Sequence, residues 1–438
     1  MNQHDRQILK LALPSIAANI TVPLLSLCDT AIAGHLDNKQ YIGAIATGSM
    51  IFTVIYWIFG FLRMGTSGIT AQAYGNRNLE EVMRIFVRSL VVALAIGVGL
   101  IILQWPIKTF CFWIFECPDN IEHLANQYFK ICIWGAPAYM AYFALQGWFL
   151  GVQNTKTIMF VSIIQNIINI TASLTLVFIF NFKVEGVALG TLGAQYAGLI
   201  ISAFVWKKYY FRLWKYMNWQ GLFKGGAVKK FFSVNVHIFF RTVCVVSVMM
   251  YFTAAGAHQN SLVLAVNTLL MQFFTIFSFF FDGFAFAGEA MCGKFYGAKN
   301  NDALKDTISR LFKWGGITAA IFTISYLVGG KQFLCLLTNQ QEVLEHATQY
   351  FLWVLAIPIA SIAAFVWDGV FIGCSFSRPM LQSTFWAAIT FFSVYFLLFN
   401  KLGNNALWLA FILYLFVRGL VLQIIWKLYN SQNLIHNS

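Results

Sequence analysis

The amino-acid sequence predicts an all-α membrane protein with twelve transmembrane helices in two six-helix bundles related as parallel repeats. Three observations carry that prediction: a composition too apolar for a soluble globule, twelve runs long enough to span a bilayer, and an internal repeat that halves the chain. Of 438 residues, 59% are hydrophobic and only 10% charged, whereas about a quarter of the residues in soluble domains are charged. The apolar runs fall near 8–34, 42–67, 85–105, 124–147, 158–180, 186–206, 231–255, 262–290, 311–330, 347–373, 379–399 and 405–426. A helix needs ~20 residues to cross about 30 Å of hydrocarbon, and each run approaches or exceeds that. The first run lacks the short apolar core and small-residue cleavage site of a signal peptide, so it is expected to remain as a span.

The halving rests on short segments that recur. "AQAYGNRN" (71–78) returns as "GKFYGAKN" (293–300), "GWFLG" (147–151) as "GVFIG" (369–373) and "TAIAG" (30–34) as "FTAAG" (252–256), all displaced by 222 residues. Six spans return the chain to its starting side, so the halves are expected to share one orientation, about an axis along the membrane normal. The expected division is a first lobe at 1–206, a connector at 207–230 and a second lobe at 231–438.

A net charge of +13 raises the question of nucleic acid, and the distribution answers it. With the amino terminus placed inside, inward segments carry twenty Lys and Arg against five outward. That asymmetry is a topology signal and not a nucleic-acid patch; it places both termini in the cytoplasm, and the expected location is a cell inner (plasma) membrane. The connector, "KKYYFRLWKYMNWQGLFKGGAVKK", holds seven of those cations and no acid. It reads as an interfacial amphipathic segment on the cytoplasmic face, a plain positive-inside loop being the alternative. The eight cysteines form no C-x-x-C pair, and a Cys111–Cys117 bridge depends on geometry that sequence does not show. The histidines lack metal-ligand spacing and no phosphate-binding loop occurs, so neither a metal site nor ATP drive is expected. No polar cluster of the kind a membrane-embedded enzyme needs lies within a span.

Charged groups inside the apolar runs are the functional candidates, because they are costly there. Asp29, in "SLCDTAIAGHLDN" (26–38), lies in the outer half of the first span. Desolvation disfavours an ionised carboxylate, so Asp29 reads as a proton acceptor. The alternative is a structural carboxylate held by neighbouring Thr and Asn or paired with Lys130. In the fifth span Asn166 and Asn169 share a helix face that must meet protein or water. In the second half Asp282 and Glu289 stand seven apart on one face, with Asp368 and Arg241 also towards the cytoplasmic side. Arg63, carried forward by the repeat offset, falls between those two acids, so it is expected to pair with Asp282 or Glu289 as a gate; snorkelling to the interface is the alternative. Met50, Phe52, Tyr56, Trp57, Met271 and Phe273 suit a cleft for organic molecules, the alternative, in a chain with 17% aromatic residues, being that most simply pack or face lipid.

Pro14 followed by "LCDTAIAGHL", together with "GFLRMGTSGITAQAYGNRN" (60–78), "NTKTIMFVSIIQNIINI" (154–170), "DGFAFAGEAMCGKFYGAKN" (282–300) and "WDGVFIG" (367–373), resembles the MATE multidrug and toxin extrusion transporters, most of all their DinF branch. The resemblance covers essentially the whole chain. It implies a secondary active antiporter that exports small organic compounds, often cationic or amphiphilic, in exchange for H⁺ or, less favoured, Na⁺. It implies alternating access, a monomer in the lipid bilayer, no cofactor and no enzymatic activity. It also implies a coupling set, in which a first-span Asp works with an Asn, a second Asp and a sixth-span Thr. On this sequence these are Asp29, Asn169, Ser173 and Thr191. Ser173 departs from the pattern, and the lost carboxylate favours a single proton over Na⁺. Pro14, fifteen residues before Asp29, stands where the first helix of relatives is proposed to bend, a static kink being the alternative. A flippase for lipid-linked saccharides is the rival reading; it would need a strongly cationic cavity, whereas acids near Arg241 can neutralise it.

Overall fold

The structure, a computed structural model, describes residues 3–35, 39–114, 119–219, 222–223 and 225–436. In chain order the first half forms α1 (Gln3–Gly34), α2 (Lys39–Ile58), α3 (Phe61–Gly75), α4 (Leu79–Ile102), α5 (Gln104–Ile114), α6 (Asp119–Cys132), α7 (Ala136–Gly151), α8 (Thr155–Leu174) and α9 (Val184–Tyr210). The second half forms α10 (Gly225–Gln259), α11 (Ser261–Gly297), α12 (Asn301–Leu337), α13 (Gln341–Gly373), α14 (Ser377–Leu402) and α15 (Asn404–His436). Cys117, the possible partner of Cys111, lies outside the described residues.

Eleven stretches among the described residues are long and apolar enough to cross a membrane, α2 with α3 forming one of them. The predicted fourth span is built differently. It is divided by a 3-10 turn, Ile133–Gly135, between α6 and α7, and Pro137 stands in the first turn of α7. Proline has no N–H to continue the preceding ladder, so this crossing consists of two short helices, and with it the crossings number the expected twelve. By contrast α1 runs unbroken through both Pro14 and Pro23.

The residues pack into two compact units, Leu13–Phe232, and Met1–Ala12 with Ser233–Ser438. The first turns of α1 therefore pack with the second half of the chain. There Asp5 accepts hydrogen bonds from Arg310 Nη1 (2.9 Å) and Trp314 Nε1 (3.1 Å) of α12. His4 Nδ1 lies 2.6 Å from Asp306 Oδ2, which also accepts from Arg310 Nε at 2.7 Å.

Within each unit the sequence repeat has a physical meaning. Gly147 of α7 sits against the carbonyl of Arg63 on α3, and Gly369 of α13 against the carbonyl of Ala285 on α11, 222 residues on in both partners. One turn later Gly151 meets the Ser67 carbonyl and Gly373 the Glu289 carbonyl. A side chain at any of the four would hold the crossing helices apart, so the recurring motif is the contact itself. The turns recur as well. Arg77 and Lys299 take the left-handed conformation at φ 57° and 55°, as do Gln153 and Ser375 at 64° and 58°. Asn78 and Asn300 then cap the next helices, accepting from Glu81 N and Ala303 N, each at 3.0 Å.

Aromatic packing fills both units. In the first, Phe52 stacks on Phe129 at 5.3 Å and Tyr56 on Tyr139 at 4.1 Å. In the second, Phe273 packs edge-on against Tyr326 (4.9 Å) and Phe351 (5.5 Å). Phe52, Tyr56 and Phe273, read from sequence as cleft-lining, are thus core residues. Met50 and Trp57, seven apart on the opposite helix face, are half exposed.

Candidate functional site

Near the end of α1, Asp29 is half-buried, and its Oδ1 is enclosed without a hydrogen-bond partner. A buried carboxylate oxygen lacking a donor is costly, and a proton relieves that cost. Lys130, the cation considered for it, is exposed, and no ion pair joins the two among the described residues. Tyr128 and Cys132, one turn apart on α6 and both buried, lie close enough to feel the Asp29 charge. The Tyr128 hydroxyl is hydrogen-bonded to Ser49 Oγ on α2 (3.1 Å) and lies near Thr191 on α9. Thr191 Oγ1 accepts from Asn169 Nδ2 at 3.2 Å, and Ser173 Oγ donates to Asn169 Oδ1 at 3.4 Å.

The structure therefore gathers Asp29, Asn169, Ser173 and Thr191 in one unit and adds Tyr128 and Ser49, for which no sequence pattern pointed. Local packing explains the meeting of α8 and α9. Gly190, next to Thr191, lies directly against Ser173 Oγ, and a larger residue there would keep Thr191 from reaching Asn169. Just beyond Ser173 the chain widens into a π-helical turn, Thr175–Ile179, a feature frequent at functional sites. Asn166, on the same face as Asn169, donates to the Thr21 carbonyl of α1 at 3.2 Å and ties α8 to the helix that carries Asp29.

The second unit holds a different electrostatic arrangement. Asp368 Oδ2 on α13 accepts from Arg241 Nη2 on α10 and from Arg418 Nη2 on α15, the latter at 2.7 Å. All three residues are buried, and the Arg418 guanidinium also lies 5.6 Å from the Phe365 ring centre. Asp282 of α11 is close enough to interact electrostatically with Arg418. Glu289 is buried on α11 beside the Gly373 crossing, whereas Arg63, on α3 of the other unit, is half-buried. Two guanidiniums on one carboxylate repel a further cation, so Asp368 is a poor place to load Na⁺. Turned on Asp368, they also fail to supply the open cationic surface that a saccharide flippase would require. Arg418 stands fifty residues beyond Asp368 with no spacing that links them. Among the described residues, no group of three His, Cys, Asp or Glu side chains could hold a metal ion.

Comparison with known proteins agrees with this architecture. The MatE family model matches residues 14–175 and again 238–397, one match in each half. DNA damage-inducible protein F of Escherichia coli (strain K12) is 34% identical over 431 residues, covering 98% of this chain and 93% of that protein. A probable multidrug resistance protein NorM of Thermotoga maritima is 24% identical over 336 residues, covering 73% and 68%. A crystal structure of a MATE in the bent conformation superposes with a TM-score of 0.88 at 17% identity, covering 98% of this chain and 96% of that one.

Proposed function

The chain belongs to the MatE family of multidrug efflux transporters, and from that premise we propose that it is a proton-coupled antiporter with Asp29 as the coupling carboxylate. The observation that carries the reading is the enclosed, unpartnered Asp29 Oδ1 close to Tyr128, in the unit that also holds the Thr191–Asn169–Ser173 chain of hydrogen bonds. Ionised, Asp29 attracts a cationic or amphiphilic organic substrate; protonated, it loses that attraction and favours release. Exchange follows because the proton and the substrate stabilise different states of one site. Na⁺ fits less well, since the only full negative charge in this cluster is Asp29 and hard cations favour several oxygen ligands including carboxylates.

Pro14 is the proposed bend in α1. It removes one intrahelical hydrogen bond and follows directly on the segment that packs with the second unit. The related MATE in its bent conformation makes such movement a reasonable model for this chain. Charge distribution supports an inner-membrane protein with both termini in the cytoplasm. The test is reconstitution into liposomes under an imposed proton or Na⁺ gradient, scanning organic dyes and drugs. Asp29→Asn mimics the protonated form permanently and is expected to keep the fold yet abolish proton-driven efflux. Near wild-type export by that variant would show that Asp29 is structural.

A further inference from the structure

The transport reading leaves the connector after α9 unused. In the structure α9 runs through Lys207, Lys208 and Tyr209 into a 3-10 turn, Phe211–Tyr216, which is docked and not loose. Trp206 is buried and stacks on Phe86 of α4 at 4.4 Å. Trp214 meets Trp206 edge-on at 6.2 Å, and Trp219 meets Trp214 at the same distance, so an aromatic ladder leads from core to surface. On α4, Arg84 Nε and Arg88 Nε donate to the carbonyls of Asn218 (3.4 Å) and Leu222 (3.0 Å). Asn154 Nδ2 donates to the Tyr210 hydroxyl at 2.8 Å. These contacts fix the backbone from the inner side.

Docking decides which groups remain outside. Glu80 pairs with Arg84 and Glu81 with Arg88 (3.4 Å), so the acids beside the connector are already engaged. Lys207, Lys208, Arg212 and Lys215 are all exposed, and residues 207–230 contain no acid. Between these cations stand exposed rings, Tyr209 at 66%, Phe211 at 55% and Trp219 at 62%. Water suits the cations and not the rings, whereas the headgroup boundary of a bilayer accommodates both. The segment continues a membrane-crossing helix, which puts it at that depth.

We propose that this connector is a preformed binding surface for anionic glycerophospholipids. Lys207, Lys208, Arg212 and Lys215 contact the phosphates, while Phe211 and Trp219 seat in the acyl boundary. A soluble acidic partner would satisfy the cations but leave the rings in water. The proposal is independent of the coupling ion, because none of these residues belongs to the Asp29 cluster.

The experiment compares full-length protein with two fourfold variants of equal charge change. One carries Lys207→Gln, Lys208→Gln, Arg212→Gln and Lys215→Gln; the control carries Gln at Lys294, Lys299, Lys305 and Lys313. Native mass spectrometry counts phosphatidylglycerol and phosphatidylcholine retained from mixed bilayers. Wild type and control are expected to favour phosphatidylglycerol about tenfold, since each basic residue near an anionic surface adds attraction, and the connector variant should lose most of that preference. Equal loss in both variants, or no headgroup preference in wild type, overturns the proposal, as does phosphatidylglycerol retention unchanged by the connector substitutions. Should the fourfold variant fail to fold, Lys207→Gln and Arg212→Gln are expected to lower phosphatidylglycerol occupancy singly, and unchanged occupancy in both has the same negative meaning.

Discussion

Substituting Gly373 by Ala tests whether the repeated glycine motif sets the approach of α11 and α13. The added Cβ would lie 2.6 Å from the Glu289 carbonyl oxygen and 2.8 Å from Gly293 N, whereas ordinary contact begins near 3.4 Å. Both obstacles are backbone atoms inside regular helix, so neither swings away as a side-chain tip could. The helices must part by about 0.6–0.8 Å, which weakens close-packed contacts along the crossing. Overpacking costs up to about 3 kcal/mol, and the helix preference of Ala over Gly returns up to about 1 kcal/mol. A net loss of about 2 kcal/mol lowers the unfolding temperature of a unit this size by about 4–8 °C. The assay is intrinsic tryptophan fluorescence of purified protein during heating, with Gly316→Ala as control, where a Cβ meets nothing within 4 Å. If Gly373→Ala unfolds at the same temperature as the control, the glycine contact does not limit the approach of the helices, and the physical reading of the repeat fails.

Tyr128→Phe keeps the ring but removes the hydroxyl bound to Ser49. It is expected to cost about 1 kcal/mol and slow proton-driven efflux, measured by melting and by liposome transport. Asp368→Asn leaves two buried guanidiniums facing a neutral amide, and is expected to destabilise the protein by about 3–5 kcal/mol, seen as lost yield and early unfolding. Asp29→Asn should show no such loss, which would separate the proposed coupling carboxylate from the structural one. Asp5→Asn weakens the contacts of Arg310 and Trp314 with α1 and should lower the melting temperature with α1 otherwise intact.

The parts of the site that were legible are those whose chemistry conflicts with their surroundings. Asp29 stands out because a carboxylate is rare in an apolar run, and Asn169, Ser173 and Thr191 followed from the family resemblance. Tyr128 and Ser49 did not, since one Tyr among seventeen carries no mark of its own. Their importance comes from a hydrogen bond spanning 79 residues of chain. Arg418 was hidden likewise, being one more cation until α15 packs beside α13.

What the sequence determined by itself was everything that rests on local solvent preference or on recurrence. The hydrophobic runs dictate helices in lipid, because no other open element satisfies its own backbone there, and the 222-residue offset marks the same turn and crossing built twice. Tertiary structure alone decided the break at Ile133–Gly135, the packing of residues 3–12 with the second half, and the capture of Asp368 by two arginines. Apolar content is blind to where a helix pauses and to which of several cations a buried acid meets. Those outcomes depend on distances between helices, set by the volumes of all the side chains between them.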